Sequence, residues 1–133
     1  MATDTDNARK QAQAQFDTIK EMVEQLQTAQ ESNNNTDCEE AEQTIHDDPL
    51  EVDVRSDWYT PGDPDFSKPT EYKILLCTGG PAVRIIGDLS KFSEPENANL
   101  EYQDWFTPWE EYPLNSDDEQ ILLTYAQQFY FGN

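Results

Sequence analysis

Residues 71–89 read EYKILLCTGGPAVRIIGDL, and this stretch decides the fold. Two runs rich in large and β-branched apolar side chains, EYKILLCT and AVRIIGDL, flank Gly79-Gly80-Pro81. Glycines tolerate the backbone angles of a tight reversal and proline cannot extend a ladder, so the stretch reads as a β-hairpin. Before it lies YTPGDPDFSKPT (59–70), whose proline, glycine and aspartate give the turn chemistry of a loop. Further back, LEVDVRSDW (50–58) alternates, with Leu50, Val52 and Val54 on one side and Glu51, Asp53, Arg55 and Asp57 on the other. That is the pattern of a half-buried strand. Beyond the hairpin, ANLEYQDW (98–105) reads as a further strand. The centre of the chain is therefore an antiparallel sheet of three to four strands.

Helical periodicity flanks the sheet. Residues 8–31 place Ala12, Phe16, Ile19, Val23 and Leu26 at steps of four and three, a narrow apolar seam on a polar helix. After the loop SNNNT, Thr36 and Glu39 form a capping-box pattern, and Cys38, Ala41 and Ile45 keep helical spacing until HDDP stops the helix at Pro49. Ser116 and Glu119 make a second such pattern ahead of Ile121, Leu122, Tyr125, Ala126 and Phe129, with Gly132 as the stop. The order is ααββββα and the class α+β: a helical hairpin over residues 1–48 and an α+β core domain over 49–133. The thin seam of the first helix calls for docking on the rest of the chain, with a homodimer through the N-terminal helix as its second use.

Charge dominates the composition. The 133 residues hold 28 acids and 8 bases, a formal net of −20, with a pI near 4.1. Such a chain repels nucleic acid and anionic membranes and draws basic surfaces from a distance. Leu, Ile, Val and Phe total 25, of which 17 lie from Phe66 onward. The C-terminal two-thirds can thus build a modest core that the N-terminal third lacks alone. Only Cys38 and Cys77 are present, with no CxxC motif and no disulfide framework. The start MATDTDNARK has no apolar signal core, and no run approaches a membrane span. The expected setting is cytoplasmic, the host cytoplasm if a phage encodes the chain.

The motifs that could carry catalysis are incomplete. CTGGPAV lacks the glycine spacing and lysine of a phosphate loop, and Cys77 has no histidine nearby in sequence, since the sole one is His46. His46-Asp47-Asp48 lacks further ligands at diagnostic metal spacing. Glu110-Glu111 and Asp117-Asp118 are adjacent acids, whereas glycoside hydrolysis needs two carboxyl groups facing across a cleft. The sequence implies no cofactor, no metal and no catalytic residue.

What remains is the pattern of acids. From Asp37 to Asp65 there are eleven acids and one base, Arg55; from Phe92 onward there are nine acids and no base. Alternate strand residues lie about 6–7 Å apart and helical neighbours about 5–6 Å apart, close to the phosphate step along a nucleic-acid strand. Three rows follow. One is Glu51, Asp53 and Asp57; another is Glu39, Glu42 and Asp47 with Asp48; the third is Glu101, Asp104, Glu110 and Glu111 running into Asp117, Asp118 and Glu119.

The segments EYKILLCTGGPAVRIIGDL and LEYQDWFTPWEEY (100–112) resemble segments of small uncharacterised proteins of phages and mobile elements. Size and charge are similar to the DNA-mimic class of anti-restriction and anti-CRISPR proteins. The likeness covers at most residues 71–112 and carries over no functional residue. In LEYQDWFTPWEEY, alternation sends Leu100, Tyr102 and Asp104 to one side and Glu101, Gln103 and Trp105 to the other. Tyr102 and Trp105 are expected in the core. Trp109, past a proline turn, is expected among acids, where it could stack on a partner's arginine. The leading expectation is a non-catalytic inhibitor that occupies the DNA-binding groove of a basic, nucleic-acid-binding host defence complex, without itself binding nucleic acid. An acidic adaptor that docks a basic protein without imitating DNA is the alternative, and a small hydrolase using paired carboxylates the third.

Overall fold

The computed structural model describes residues 4–56, 58, 60–62, 68–78, 80–104 and 107–131. Helix α1 (Asp4–Glu31) and helix α2 (Asn35–Asp47) precede strands β1 (Glu51–Arg55), β2 (Glu71–Cys77), β3 (Ala82–Asp88), β4 (Asn99–Gln103) and β5 (Glu110–Glu111), and helix α3 (Ser116–Ala126) closes the order. The strands form one antiparallel meander, β1-β2-β3-β4-β5. The α+β expectation holds, with the two-residue β5 completing a five-stranded sheet.

The hairpin in EYKILLCTGGPAVRIIGDL is β2–β3, paired from Glu71↔Asp88 to Leu75↔Arg84. A bulge between Leu75 and Cys77 shifts the register before the turn, where Gly80 takes φ +137. Gly79 lies outside the described residues. Tyr72, Ile74 and Leu76 of β2, Val83 and Ile85 of β3, and Leu100 and Tyr102 of β4 are buried on one face. That face carries the helices.

The seam of α1 makes the cover. Ala12, Phe16, Ile19, Val23 and Leu26 are all buried, joined by Ala8 and Met22, in one apolar cluster with Ala41 and Ile45 of α2, the inner sheet face, and Leu122, Tyr125 and Ala126 of α3. The seam is thus occupied within the chain, and among the described residues it is not left as an exposed stripe. One core runs across the 48/49 boundary read from the sequence.

Both short helices start one or two residues earlier than the capping boxes imply. Asn34 and Asn115 are the N-caps, each accepting from the backbone N–H three residues on, Asp37 at 3.1 Å and Asp118 at 2.8 Å. Asparagine is as good an N-cap as serine or threonine, and here it precedes each of them. Helix α3 stops at Ala126, well before Gly132, which lies outside the described residues. Its end is tied to α2: the Tyr125 hydroxyl donates to Asp48 at 2.8 Å, and His46 Nε2 contacts the Gln128 carbonyl at 2.6 Å.

One expectation on burial fails. Leu50, Val52 and Val54, read as the buried side of β1, are 62%, 36% and 46% exposed. They do face the helix side, since Val52 pairs with Ile74 and Val54 with Tyr72. But β1 is an edge strand, and α1 lies over β3 and β4. The helical cover ends short of β1.

Candidate partner-binding surface

The face of the sheet opposite the helices is polar and open. Register sets a row across all five strands: Glu51, Leu75, Arg84, Glu101 and Glu111. The row begins and ends in an acid, with a base at its centre. A parallel row runs Asp53, Lys73, Ile86, Asn99, and a third Arg55, Glu71, Asp88.

The bases on this face are neutralised in place. Arg84 reaches Glu101 through Nε at 2.8 Å and its terminal nitrogen at 2.7 Å, and its guanidinium lies 3.9 Å from the Trp109 ring centroid. Lys73 lies 3.7 Å from Asp53, and Arg55 pairs with Glu71. Between these pairs lies a shallow cavity of about 280 Å³, lined also by Asp88, Asn97 and Asn99. Its three bases are matched, and Asp88 accepts from the Asn97 side-chain amide at 2.9 Å.

Trp109 therefore stacks on an arginine as expected, but on the chain's own Arg84 rather than a partner's. The turn after β4 explains why. The Asp104 N–H donates to the Thr107 hydroxyl at 3.0 Å, and the Thr107 N–H donates to the Asp104 carbonyl at 3.2 Å. This folds the chain back, so that Trp109 shares a face with Glu111 and, through the Glu101↔Glu111 pair, with Arg84. Asp104 is only 7% exposed and lies beyond a partner's reach, because alternation carries it to the helix side with Leu100 and Tyr102. Trp105 lies outside the described residues.

The remaining acids of the three rows do not form one surface. Glu39, Glu42, Asp47 and Asp48 belong to α2 and its end, which feeds β1 with Glu51 and Asp53; Asp57 lies outside the described residues. Glu110 and Glu111 are β5, which leads into Asp117, Asp118 and Glu119 in the first turn of α3. β1 and β5 are opposite edges of the sheet, four strand spacings or about 19 Å apart. In the first group, Asp48 holds the Tyr125 hydroxyl and Asp53 faces Lys73, which leaves Glu39, Asp47 and Glu51 exposed and outside any ion pair among the described residues. In the second, Glu110, Glu111, Asp117 and Glu119 are exposed and Asp118 half-exposed, again without a cation within salt-bridge distance among the described residues. Arg9 of α1 comes near this corner only through the Tyr112 ring, at 5.9 Å. Acids in the first turn of α3 also meet the positive end of the helix dipole, which stabilises the helix. The charge of Glu119 is felt at the sheet: together with burial, the larger cause, and Asp88, it raises the Tyr72 hydroxyl pKa.

The α1–α2 groove adds acids that the linear charge count hid. Antiparallel packing brings Glu21 and Glu24 to Asp37 and Glu40 along an open groove of about 650 Å³. Residues 1–36 hold six acids and three bases and lie outside the two acid-rich tracts, so for Glu21 and Glu24 the signal lay in the helical pairing rather than in the local composition.

Groups for covalent chemistry are dispersed. Cys77 is half-buried at the end of β2, and burial pushes its thiol up from the ordinary value, away from the reactive thiolate. His46 is engaged with Gln128 and Phe129. Among the described residues no group of three His, Cys, Asp or Glu is placed to hold a metal ion, and no helix is long and apolar enough to cross a membrane.

The fold and surface define a class: a helix-backed antiparallel meander whose open face is edged by unneutralised carboxylates. Comparison of the chain with protein-family models, curated proteins and solved structures finds no match in any of the three.

Proposed function

We propose that this protein is a non-catalytic inhibitor that presents acids in place of nucleic-acid phosphates to a basic, nucleic-acid-binding defence complex of a host, acting in the host cytoplasm. The observation that carries the reading is the β5–α3 corner, where Glu110, Glu111, Asp117 and Glu119 stand exposed without a paired cation among the described residues. These acids sit on a packed strand and a capped helix, so their spacing is held by backbone rather than by chance side-chain poses. A folded acidic face avoids the condensed counterions and flexibility of DNA, which lets it compete for a basic groove. The opposite edge, with Glu39, Asp47 and Glu51, supplies a second acidic row.

The test is capture of host-lysate proteins on the immobilised protein at low and high salt, with duplex DNA added as competitor. Basic nucleic-acid-binding proteins should be retained, released by salt and displaced by the DNA. Glu110→Lys with Glu111→Lys should abolish their retention. Partners that stay bound alongside DNA support instead an acidic adaptor. Partners indifferent to salt and to the double substitution overturn the reading.

A further inference from the structure

The outer edge of β1 has the features of a strand-acceptor site. In the sheet order β1 has β2 on one side and, among the described residues, no strand on the other. Native edges are commonly blunted by proline, lysine or a bulge. β1 reads EVDVR, with neither proline nor lysine, and pairs with β2 in unbroken register from Glu51↔Leu75 to Arg55↔Glu71. Its helix side is apolar and uncovered at Leu50, Val52 and Val54, and Trp58, in the same alternation, is fully exposed. Its other side carries Glu51, Asp53 and Arg55, with Asp53 3.7 Å from Lys73, Arg55 paired with Glu71 and Glu51 outside any ion pair among the described residues.

This combination selects an occupant. A second copy in antiparallel pairing about Asp53 would match Glu51 to Arg55 and Val52 to Val54. It would also set Asp53 against Asp53, and like charges directly opposite destabilise a pair; pairing about Val54 would instead match Asp53 to Arg55, which Glu71 already holds, and either register brings together two chains of net charge −20. A segment with alternating apolar and basic residues meets Glu51 and Asp53 without that repulsion, and Arg55 is already held by Glu71. Its apolar side continues the Leu50-Val52-Val54 stripe, its basic side faces Glu51 and Asp53, and its backbone completes the ladder. We infer that β1 receives an extended, alternately apolar and basic segment of the protein's partner as a sixth strand. The inference rests on the reading above that the partner is basic, and it names the element of that partner which docks.

The test uses the full-length protein and three eight-residue peptides, titrated calorimetrically at 50 and 300 mM NaCl (assay conditions on the order of one Debye-length change). One alternates lysine and valine, one has the same composition in two blocks, and one is the alternating peptide N-methylated along one edge to remove ladder donors. The alternating peptide should bind on the order of tenfold more tightly than the other two. Val54→Lys, a change at an exposed position that circular dichroism can show to be folded, should remove that preference. Equal binding of all three peptides means attraction by charge alone and overturns the inference, while the basic-partner reading survives. Failure of every peptide to bind overturns it too. Self-association seen by sedimentation and relieved by Val54→Lys would assign β1 to a second copy and overturn the inference as well. Persistence of host-protein retention in Glu110→Lys/Glu111→Lys is a separate failure, of the proposed function.

Discussion

Arg84 is the centre of the open face, and its replacement by methionine tests whether the face is held by charge pairing or only by strand hydrogen bonds. The guanidinium makes two short contacts to one oxygen of Glu101, at 2.8 and 2.7 Å, in a pair whose side chains are about one-fifth exposed. Hydrogen bonds to charged groups contribute roughly 1.5–3 kcal/mol, and a partly desolvated cation over an indole about 1 kcal/mol. Glu101 also sits directly opposite Glu111, and a like-charged cross-strand pair costs up to about 1 kcal/mol once the intervening cation is gone. Methionine keeps the stem packed on Trp109. Arg84→Met should therefore destabilise the protein by about 3 kcal/mol, a large part of the roughly 5–15 kcal/mol typical of a domain. The decisive arm is Glu101→Gln. In the native background it should destabilise, because it weakens the ion pair; in the Arg84→Met background it should stabilise, because it removes a stranded charge. Urea unfolding followed by far-ultraviolet circular dichroism reads all four proteins. A cost below about 1 kcal/mol for Arg84→Met, or Glu101→Gln acting in the same direction in both backgrounds, would refute the reasoning.

Gly87→Ala should cost about 3 kcal/mol by overpacking and loss of a part-buried hydrogen bond: an added Cβ would come within 2.2 Å of the Asn97 carbonyl, which also receives the Tyr72 hydroxyl at 2.6 Å. An unchanged urea midpoint would show that this approach is looser than described. A third expectation concerns alkaline pH. Burial, with the charges of Asp88 and Glu119, raises the Tyr72 hydroxyl, and burial, with the charge and hydrogen bond of Asp48, raises that of Tyr125. Both folded values lie above the ordinary 10.0, so unfolded tyrosine loses its proton first. The stability they contribute is whole below pH about 10 and falls as the pH rises beyond it, by up to about 1.4 kcal/mol per pH unit for each group. Thermal midpoints should drop steeply between pH 9.5 and 11 (roughly the range around the tyrosine value). The Tyr72→Phe/Tyr125→Phe variant, less stable at pH 8, should show a shallower fall; an identical slope would rule these hydroxyls out.

Element types are legible wherever local chemistry decides them. The 4-3-4-3 spacing from Ala12 to Leu26 and the paired runs around Gly80 each specify their own element, and both appear where expected. The capping boxes place the starts of α2 and α3 too late because two acceptable caps lie close together. Only the folded backbone chooses between Asn34 and Thr36 or between Asn115 and Ser116. β5 carries no periodic signal in two residues; it forms because the turn at Thr107 returns the chain beside β4.

The candidate surface is legible in content and not in arrangement. Charge excess, the lack of bases after Lys91 and the alternation of strand faces are all linear properties, and they are enough to single out Glu110, Glu111 and the acids of α3. The sequence by itself thus determined the sign of the surface, the elements that carry it and the inner face of the hairpin, since each depends on neighbours within a few residues. Only tertiary structure decided that Trp109 would close on Arg84, that Asp104 would be buried, that the acids would part to opposite edges of the sheet and that Leu50, Val52 and Val54 would stay uncovered. Each of those depends on which strand lies beside which and how far the helices reach across them, and that information is not contained in any local window of the chain.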